Sequence, residues 1–357
     1  MSFSDLVKRN LEKLESTFDE SLSGVHIYNE KKVCKCDRLF DGTLIDWKGR
    51  IKQQFSFSYL SVFCQKGYLA QKTYESKEFG LWTKKDKKIW TKNIPIHHEI
   101  YPLQKSFFTF TKEVHKYKGR DVAFDVILEF DYVGTQQQRW SSWDHLQELQ
   151  KCHKTFPLDY RFLPVAKRKN AEPFGSLYDY YRFNSFQQIP KNTLEQRDSR
   201  FQKGNWLVSA RHGSLLFIID YKTKKIVWSY THKTIQGQHA AQLLENGNIL
   251  LFDNGRYRGW SRIIELNPLS GEIVFEYRAD SFYSQSRGYV QKLENGNYLI
   301  TESERGRIFE ITLEKELVWE YYHPQKQTDT TYPQSIGKRE WIYRCYGYKR
   351  LDINNNL

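Results

Sequence analysis

The side chains best suited to chemistry in this sequence are imidazoles and guanidiniums set at the starts of apolar runs. His239 comes two residues after Gly237 and opens the run His239-Ala-Ala-Gln-Leu243, and His97-His98 precedes another. Arg182, Arg287 and Arg305 stand near the starts of similar runs or in loops, and Arg211 ends the stretch Asn205-Trp-Leu-Val-Ser-Ala-Arg211. Arg258 lies between Arg256 and Arg262. Guanidiniums present forked donors that match sulfate, phosphate or carboxylate oxygens, while an imidazole can serve as nucleophile or base. The set points to an anionic ligand. Strand alternation permits only one of His97 and His98 to face inward, and it puts Arg211 on one face with Ser209 and Leu207. Glu302 and Glu304 read as surface ion-pair partners of the arginines or, alternatively, as general bases. Asp253-Asn254-Gly255 reads as a turn.

Other chemistries find no support. There is no phosphate-binding glycine loop, no nucleophile elbow and no paired zinc motif. The five cysteines are scattered, and Cys34-x-Cys36 lacks a second half at zinc spacing, so free thiols in a reducing compartment are expected. Lysine and arginine exceed aspartate and glutamate by 55 − 42 = 13, a field that attracts anions of any kind. The charge is dispersed, however. Lys84-Lys85-Asp86-Lys87-Lys88 and Lys167-Arg168-Lys169 read as solvated turns, and no basic–aromatic stripe favours nucleic acid. No stretch reaches signal-peptide character or the roughly 18 apolar residues of a membrane span, so a cytoplasmic protein is expected.

The elements that must position these residues repeat along the chain. Gln242-Leu-Leu-Glu-Asn-Gly-Asn-Ile-Leu-Leu251 is echoed 49 residues later by Gln291-Lys-Leu-Glu-Asn-Gly-Asn-Tyr-Leu-Ile300. Both continue to an apolar strand (Arg262–Leu266, Arg307–Ile311) and close with Glu272-Ile-Val-Phe-Glu-Tyr277 or Glu316-Leu-Val-Trp-Glu-Tyr321. Weaker copies run through residues 204–228, 107–140 and 67–90, and 42–51 is a truncated one. Asn-Gly supplies the positive φ of a tight hairpin, and the flanking runs are short and rich in β-forming residues. A unit of 40–50 residues with three or four strands is a propeller blade, which needs neighbours to bury both its faces. The recurring Trp and Tyr of the last strand are expected to fill the space between blades. The fold is therefore all-β: a β-propeller of about six blades over 24–345, with an amphipathic helix in 1–20, an inter-blade insertion at 143–180 and a tail at 346–357. His239 then begins an innermost strand, facing the central channel.

Several motifs resemble the arylsulfotransferase (aryl-sulfate sulfotransferase) family. They are Gly237-Gln-His-Ala-Ala-Gln-Leu-Leu-Glu-Asn-Gly-Asn-Ile-Leu-Leu-Phe-Asp-Asn-Gly255 with Arg258-Gly259, Asn184-Ser185, Asn205-Trp-Leu-Val-Ser-Ala-Arg-His212, His97-His98-Glu99, and Thr301-Glu-Ser-Glu-Arg-Gly-Arg-Ile-Phe-Glu310. The resemblance implies a six-bladed propeller whose central funnel passes a sulfuryl group between phenols through a sulfated histidine, with no nucleotide donor and no cofactor. It assigns catalytic roles to His239 and Arg258. Arg211, His98, Arg182, Asn184, Arg287 and Glu304 would bind the substrate. The chain departs from the pattern in two places. The family's His-x-Asn-Ser reads Arg182-Phe183-Asn184-Ser185 here, and no histidine lies between His239 and His323, where the nucleophile of the enzymes falls.

Two functions follow as expectations. One is sulfuryl transfer in a basic funnel, with a small sulfated or phenolic ligand. The other is a non-catalytic propeller that binds a small anion or a protein partner.

Overall fold

The computed structural model describes residues 21–57, 60–71, 76–152, 178–324 and 342–348. The expected N-terminal helix, most of the 143–180 insertion and most of the tail lie outside them. Among the described residues, Asn-Gly and Asp-Gly turns and apolar runs fold into twenty-six strands in six sheets, and the fold is a six-bladed β-propeller. The chain divides into two compact units, one of residues 21–55, 250–266 and the described residues from 271 on, the other of 56–249 with 267–270.

In the first unit, β2 (Asp37–Phe40), β3 (Thr43–Ile45) and β4 (Ile51–Gln54) form the sheet that the sequence showed as a truncated copy. Its missing strand is β26 (Cys345–Tyr348), which pairs antiparallel with β2 from Phe40↔Cys345 to Asp37↔Tyr348. The propeller thus reaches three residues into the expected tail. The last full repeat holds β22 (Tyr289–Lys292), β23 (Tyr298–Glu302), β24 (Arg307–Ile311) and β25 (Leu317–Tyr322), and β1 (Gly24–Ile27) adds to its outer edge. β1 and β26 are thus each paired with strands distant in sequence.

The second unit contains β5 (Leu60–Cys64), β6 (Gly67–Gln71), β7 (Glu78–Trp82) and β8 (Lys88–Asn93) as one sheet. The next has β9 (His97–Pro102), the long hairpin β10 (Ser106–Tyr117) and β11 (Arg120–Asp131), and β12 (Gln136–Ser141). A short helix α1 (Leu146–Lys151) follows, and β13 (Tyr178–Asp179) pairs parallel with β11. Then come β14 (Phe183–Gln188), β15 (Trp206–Ala210), β16 (Leu215–Ile219) and β17 (Ile226–Thr231). Of the sixth sheet, β19 (Ile249–Asp253, from Leu250 on), β20 (Arg262–Leu266) and β21 (Ile273–Tyr277) belong to the first unit, and its first strand, β18 (His239–Leu243), to the second. The aromatic wealth of the sequence fills the second unit, where Phe108, Phe110, Phe183, Phe186 and Trp206 pack as one buried cluster.

The tryptophans of the outer strands do more than fill space. Each indole Nε1–H donates to a backbone carbonyl in the turn of a following sheet: Trp90 to Tyr132 (3.1 Å), Trp140 to Lys224 (3.0 Å), Trp228 to Pro268 (3.3 Å) and Trp319 to Trp47 (2.8 Å). In three of the four, the ladder shifts register beside the residue that faces the tryptophan, at Leu81/Trp82, Ile218/Ile219 and Glu310/Ile311. Such a bulge bends the strand and re-aims its side chains.

Trp228→Phe keeps a ring in the gap but leaves the Pro268 carbonyl without its donor. It is expected to destabilise the protein by about 1–3 kcal/mol. Denaturant unfolding checks this, and a change within a few tenths of a kcal/mol would reduce the indole to plain packing.

Candidate functional site

The site grows from strands β9, β14 and β18 of the second unit. Asn184 Nδ2 donates to the Gln238 carbonyl at 2.6 Å, Ser185 Oγ accepts the Ala241 N–H at 3.0 Å and Gln187 Oε1 accepts that of Leu243 at 2.7 Å, so β14 is tied to β18 by side chains. On its other flank Glu99 Oε2 accepts the Phe186 N–H at 3.5 Å, tying β14 to β9.

Within one residue of the start of each of these strands stands a non-glycine residue in the left-handed region: His98 (φ 59°), Arg182 (φ 57°) and Ala240 (φ 55°). Left-handed backbone is costly for residues with a Cβ and gathers where side chains must be re-aimed. At β9 the ladder jumps from Thr109↔Ile100 to Phe110↔His97, so His98 and Glu99 form a bulge. The alternation rule therefore fails here. Rather than pointing to opposite faces, the two imidazoles meet, with His97 Nδ1 2.8 Å from His98 Nδ1.

Behind His97 lies a buried charge cluster. Lys112 and Asp125 face each other across β10 and β11, with Lys112 Nζ 3.4 Å from Asp125 Oδ1 and in close ion contact with Asp179. Arg182 Nη1 approaches Asp179 at 3.9 Å, and His97 Nε2 lies 3.4 Å from Asp125 Oδ1. His212 Nδ1–H donates to the Asp179 carbonyl at 3.0 Å. Burial pushes the Asp125 carboxyl up to about 7 against the pull of Lys112. Burial acts the same way on Asp179, but Lys112, His212 and Arg182 outweigh it and hold that carboxyl below its ordinary range. His97 is held well below the usual imidazole range by burial and then by Lys112. His98 is held low by desolvation and by His97, Arg182, His239 and Lys112, which places Arg182 and His239 in its electrostatic surroundings.

Of the residues singled out in the sequence, His98, Arg182, Asn184 and His239 thus come together on neighbouring strands. Arg211 is in the turn after β15, not on its face, and its N–H donates to the Arg182 carbonyl at 3.0 Å. Among the described residues, Arg182 Nε, Asn184 Oδ1 and Gln238 Oε1 are buried without a hydrogen-bond partner.

Arg258, Arg287 and Glu304 belong to the first unit. Arg258 stacks on Trp260 at 4.2 Å, reaches Asp253 Oδ2 at 2.9 Å and donates to the Trp260 carbonyl at 3.1 Å. Arg262 Nε shares the same Asp253 oxygen at 2.9 Å. Asp253 is thus the common anchor of two arginines, and Asn254 Nδ2 donates to the Arg287 carbonyl at 2.6 Å. Glu302 and Glu304 are buried rather than on the surface. Glu302 accepts the Tyr283 N–H at 2.9 Å, and Glu304 accepts those of Gln285 (2.7 Å) and Ser286 (3.1 Å), so both hold the 283–286 loop. Among the described residues, no group of three or more His, Cys, Asp or Glu is arranged to hold a metal ion.

Lys112, Asp125 and Asp179 escaped the sequence reading. The available signal was Asp125, a lone carboxylate inside the apolar run Val122-Ala-Phe-Asp-Val-Ile-Leu128.

A sequence model of the arylsulfotransferase (ASST) family matches residues 39–324. Among solved structures, a protein of unknown function from Bacteroides caccae aligns at 14% identity over 89% of this chain and 100% of its own, with a TM-score of 0.48. A catalytically inactive virginiamycin B lyase from Staphylococcus aureus, solved with quinupristin, aligns at 11% identity over 84% and 88%, with a TM-score of 0.41. Comparison with curated proteins gave no match.

Two outcomes are expected. Lys112→Met strips two buried carboxylates of their main counter-charge and should cost about 3–5 kcal/mol in denaturant unfolding; a neutral effect would show that the cluster is not an ionised network. The second concerns pH. The unfolded chain protonates His97 near 6.5, whereas the folded chain does so only well below. Its contribution is therefore complete above about pH 6.5 and is lost as the pH falls. Asp125, raised to about 7, works the other way, its contribution being lost as pH rises through that value. The stability difference between wild type and His97→Phe should shrink between pH 7 and 5, and a pH-independent difference in melting temperature would contradict this.

Proposed function

The chain belongs to the arylsulfotransferase family, and on that premise we propose that it moves a sulfuryl group between phenolic compounds at the site on β9, β14 and β18. The observation that carries the reading is the company His98 keeps. A half-buried imidazole held in its neutral form has Arg182 and a second imidazole, His239, as charged or chargeable neighbours. A neutral imidazole has the lone pair that attack on sulfur requires, and a guanidinium matches the sulfuryl oxygens on which charge accumulates. Arg182 Nε, a buried donor without a partner among the described residues, suits a ligand oxygen. Arg182 stands where the family has a histidine. The substitution exchanges an imidazole for a fixed cation and leaves His98 and His239 as the imidazoles of this site.

The function this supports is an aryl-sulfate-dependent transferase, with Arg182 and Asn184 holding the sulfated ligand and Arg211 adding positive charge beside them. The alternative is a propeller that binds an aryl sulfate or another small anion without turning it over. It draws on the first unit, where Glu302, Glu304 and Arg307 stand in the region that carries the nucleophilic histidine in the enzymes, and all three are engaged in holding backbone or one another.

A chromogenic aryl sulfate with a phenol acceptor tests the reading. Wild type is expected to release the chromophore, and Arg182→Ala and His239→Ala to lose at least ten-fold in kcat/KM, equivalent to about 1.4 kcal/mol of transition-state stabilisation. No turnover, with the aryl sulfate still raising the melting temperature of the wild type but not of Arg182→Ala, would replace the transferase by the binder.

A further inference from the structure

The two adjacent histidines have a hydrogen-bond order that can be deduced. His97 Nε2 lies 3.3 Å from the Thr111 carbonyl oxygen, which can only accept, so Nε2 carries the proton. A neutral His97 then has its lone pair on Nδ1. That atom faces His98 Nδ1 at 2.8 Å, so the proton between them belongs to His98. A neutral His98 with Nδ1–H has its lone pair on Nε2. The chain of constraint runs from a backbone carbonyl on β10 through one imidazole to the far nitrogen of the next.

We propose that His97 is a positioning residue that fixes the tautomer of His98 and so makes Nε2 of His98 the atom that attacks sulfur. The proposal rests on the transferase reading and deepens it by choosing between the two imidazoles of the site. His98 Nε2 forms the N–S bond as the S–O(aryl) bond breaks, and the electron pair leaves with the aryl oxygen. His98 keeps its Nδ1 proton throughout, and the positive charge of the sulfated ring is shared along the hydrogen bond to His97, whose other edge faces Asp125 Oδ1 at 3.4 Å. In the second half the acceptor oxygen attacks sulfur, the N–S bond breaks and His98 returns to its neutral tautomer. The acceptor's proton passes to the departed aryl oxygen, with His239 as carrier. Only one orientation of protons along His97 and His98 leaves Nε2 unprotonated, which is the use of a second histidine behind the first.

The groups that bias these rings are Lys112, Asp125 and Asp179 behind His97, and Arg182 and His239 beside His98. Lys112 and Arg182 both oppose protonation of either ring, which preserves the alternating donor–acceptor order.

Imidazole nitrogen NMR on the full chain, labelled at histidine nitrogens, tests the order directly at pH 7. The expected spectrum has His97 as the Nε2–H tautomer and His98 as Nδ1–H. His97→Phe removes the acceptor and should move His98 to the Nε2–H form while lowering kcat for the aryl sulfate by about 100-fold or more, with KM little changed. His97→Asn keeps an acceptor oxygen where Nδ1 stood and should restore the His98 tautomer and most of kcat. Nε2–H on His98 in the wild type, or an unmoved His98 tautomer in His97→Phe, would overturn the proposal whatever the turnover. The expected tautomers without any aryl sulfate turnover would leave the histidine order standing and overturn both the attack by Nε2 and the transferase reading.

Discussion

The contact on which the sheets depend is the indole that each of four outer strands sends to a neighbour's turn. A propeller blade is stable only while both faces are covered, and twisted sheets meet well at their middles and splay at their outer edges. Trp90, Trp140, Trp228 and Trp319 sit at that outer position, where a large ring fills the widening gap and its N–H meets a backbone carbonyl. The direction is always forward, from one sheet to a turn later in the ring order, including Trp319 to Trp47. Trp319 is also capped by the Arg38 guanidinium at 4.0 Å, itself paired with buried Glu310 at 2.6 Å. Closure of the first unit thus combines the added strands β1 and β26 with one tryptophan and one buried ion pair.

With the outer edges fixed, the inner strands can tolerate irregularity. His98, Arg182 and Ala240 adopt left-handed backbone within one residue of strand starts, a conformation that costs about 1–2 kcal/mol for a residue with a side chain. The surrounding sheets hold these residues there, and the result is that polar side chains leave the regular in–out alternation and converge. The buried cluster of Lys112, Asp125 and Asp179 has the same character. Two carboxylates around one ammonium, deep in an aromatic core, do not stabilise a fold as well as apolar packing would. Their position directly behind His97 gives them a use in electrostatics instead.

The two units treat similar charges differently. In the second unit the arginine at the strand start, Arg182, has a donor with no protein partner among the described residues. In the first, Arg258, Arg262 and Arg307 are consumed by Asp253, Glu276, Glu302 and Glu320. The family resemblance gave Arg258 a catalytic role and Arg182 only a binding one. Their pairing separates them.

The sequence by itself determined the repeat, and with it the all-β propeller and the approximate place of most strands. Asn-Gly turns and short apolar runs are local signals, and their recurrence 49 residues apart needs no tertiary information. It also pointed to His98, Arg182, Asn184 and His239 one by one. It could not show that the truncated first repeat is completed by Cys345–Tyr348, because pairing between strands about 300 residues apart leaves no local trace. Nor could it show the meeting of His97 with His98, since a bulge with a left-handed residue breaks the two-residue period on which the sequence reading relied. Lys112 and Asp179, 67 residues apart, carry charges that in a linear sequence look like any solvated pair. Only the tertiary structure, by burying both against one hairpin, turned them into the electrostatic floor of the site.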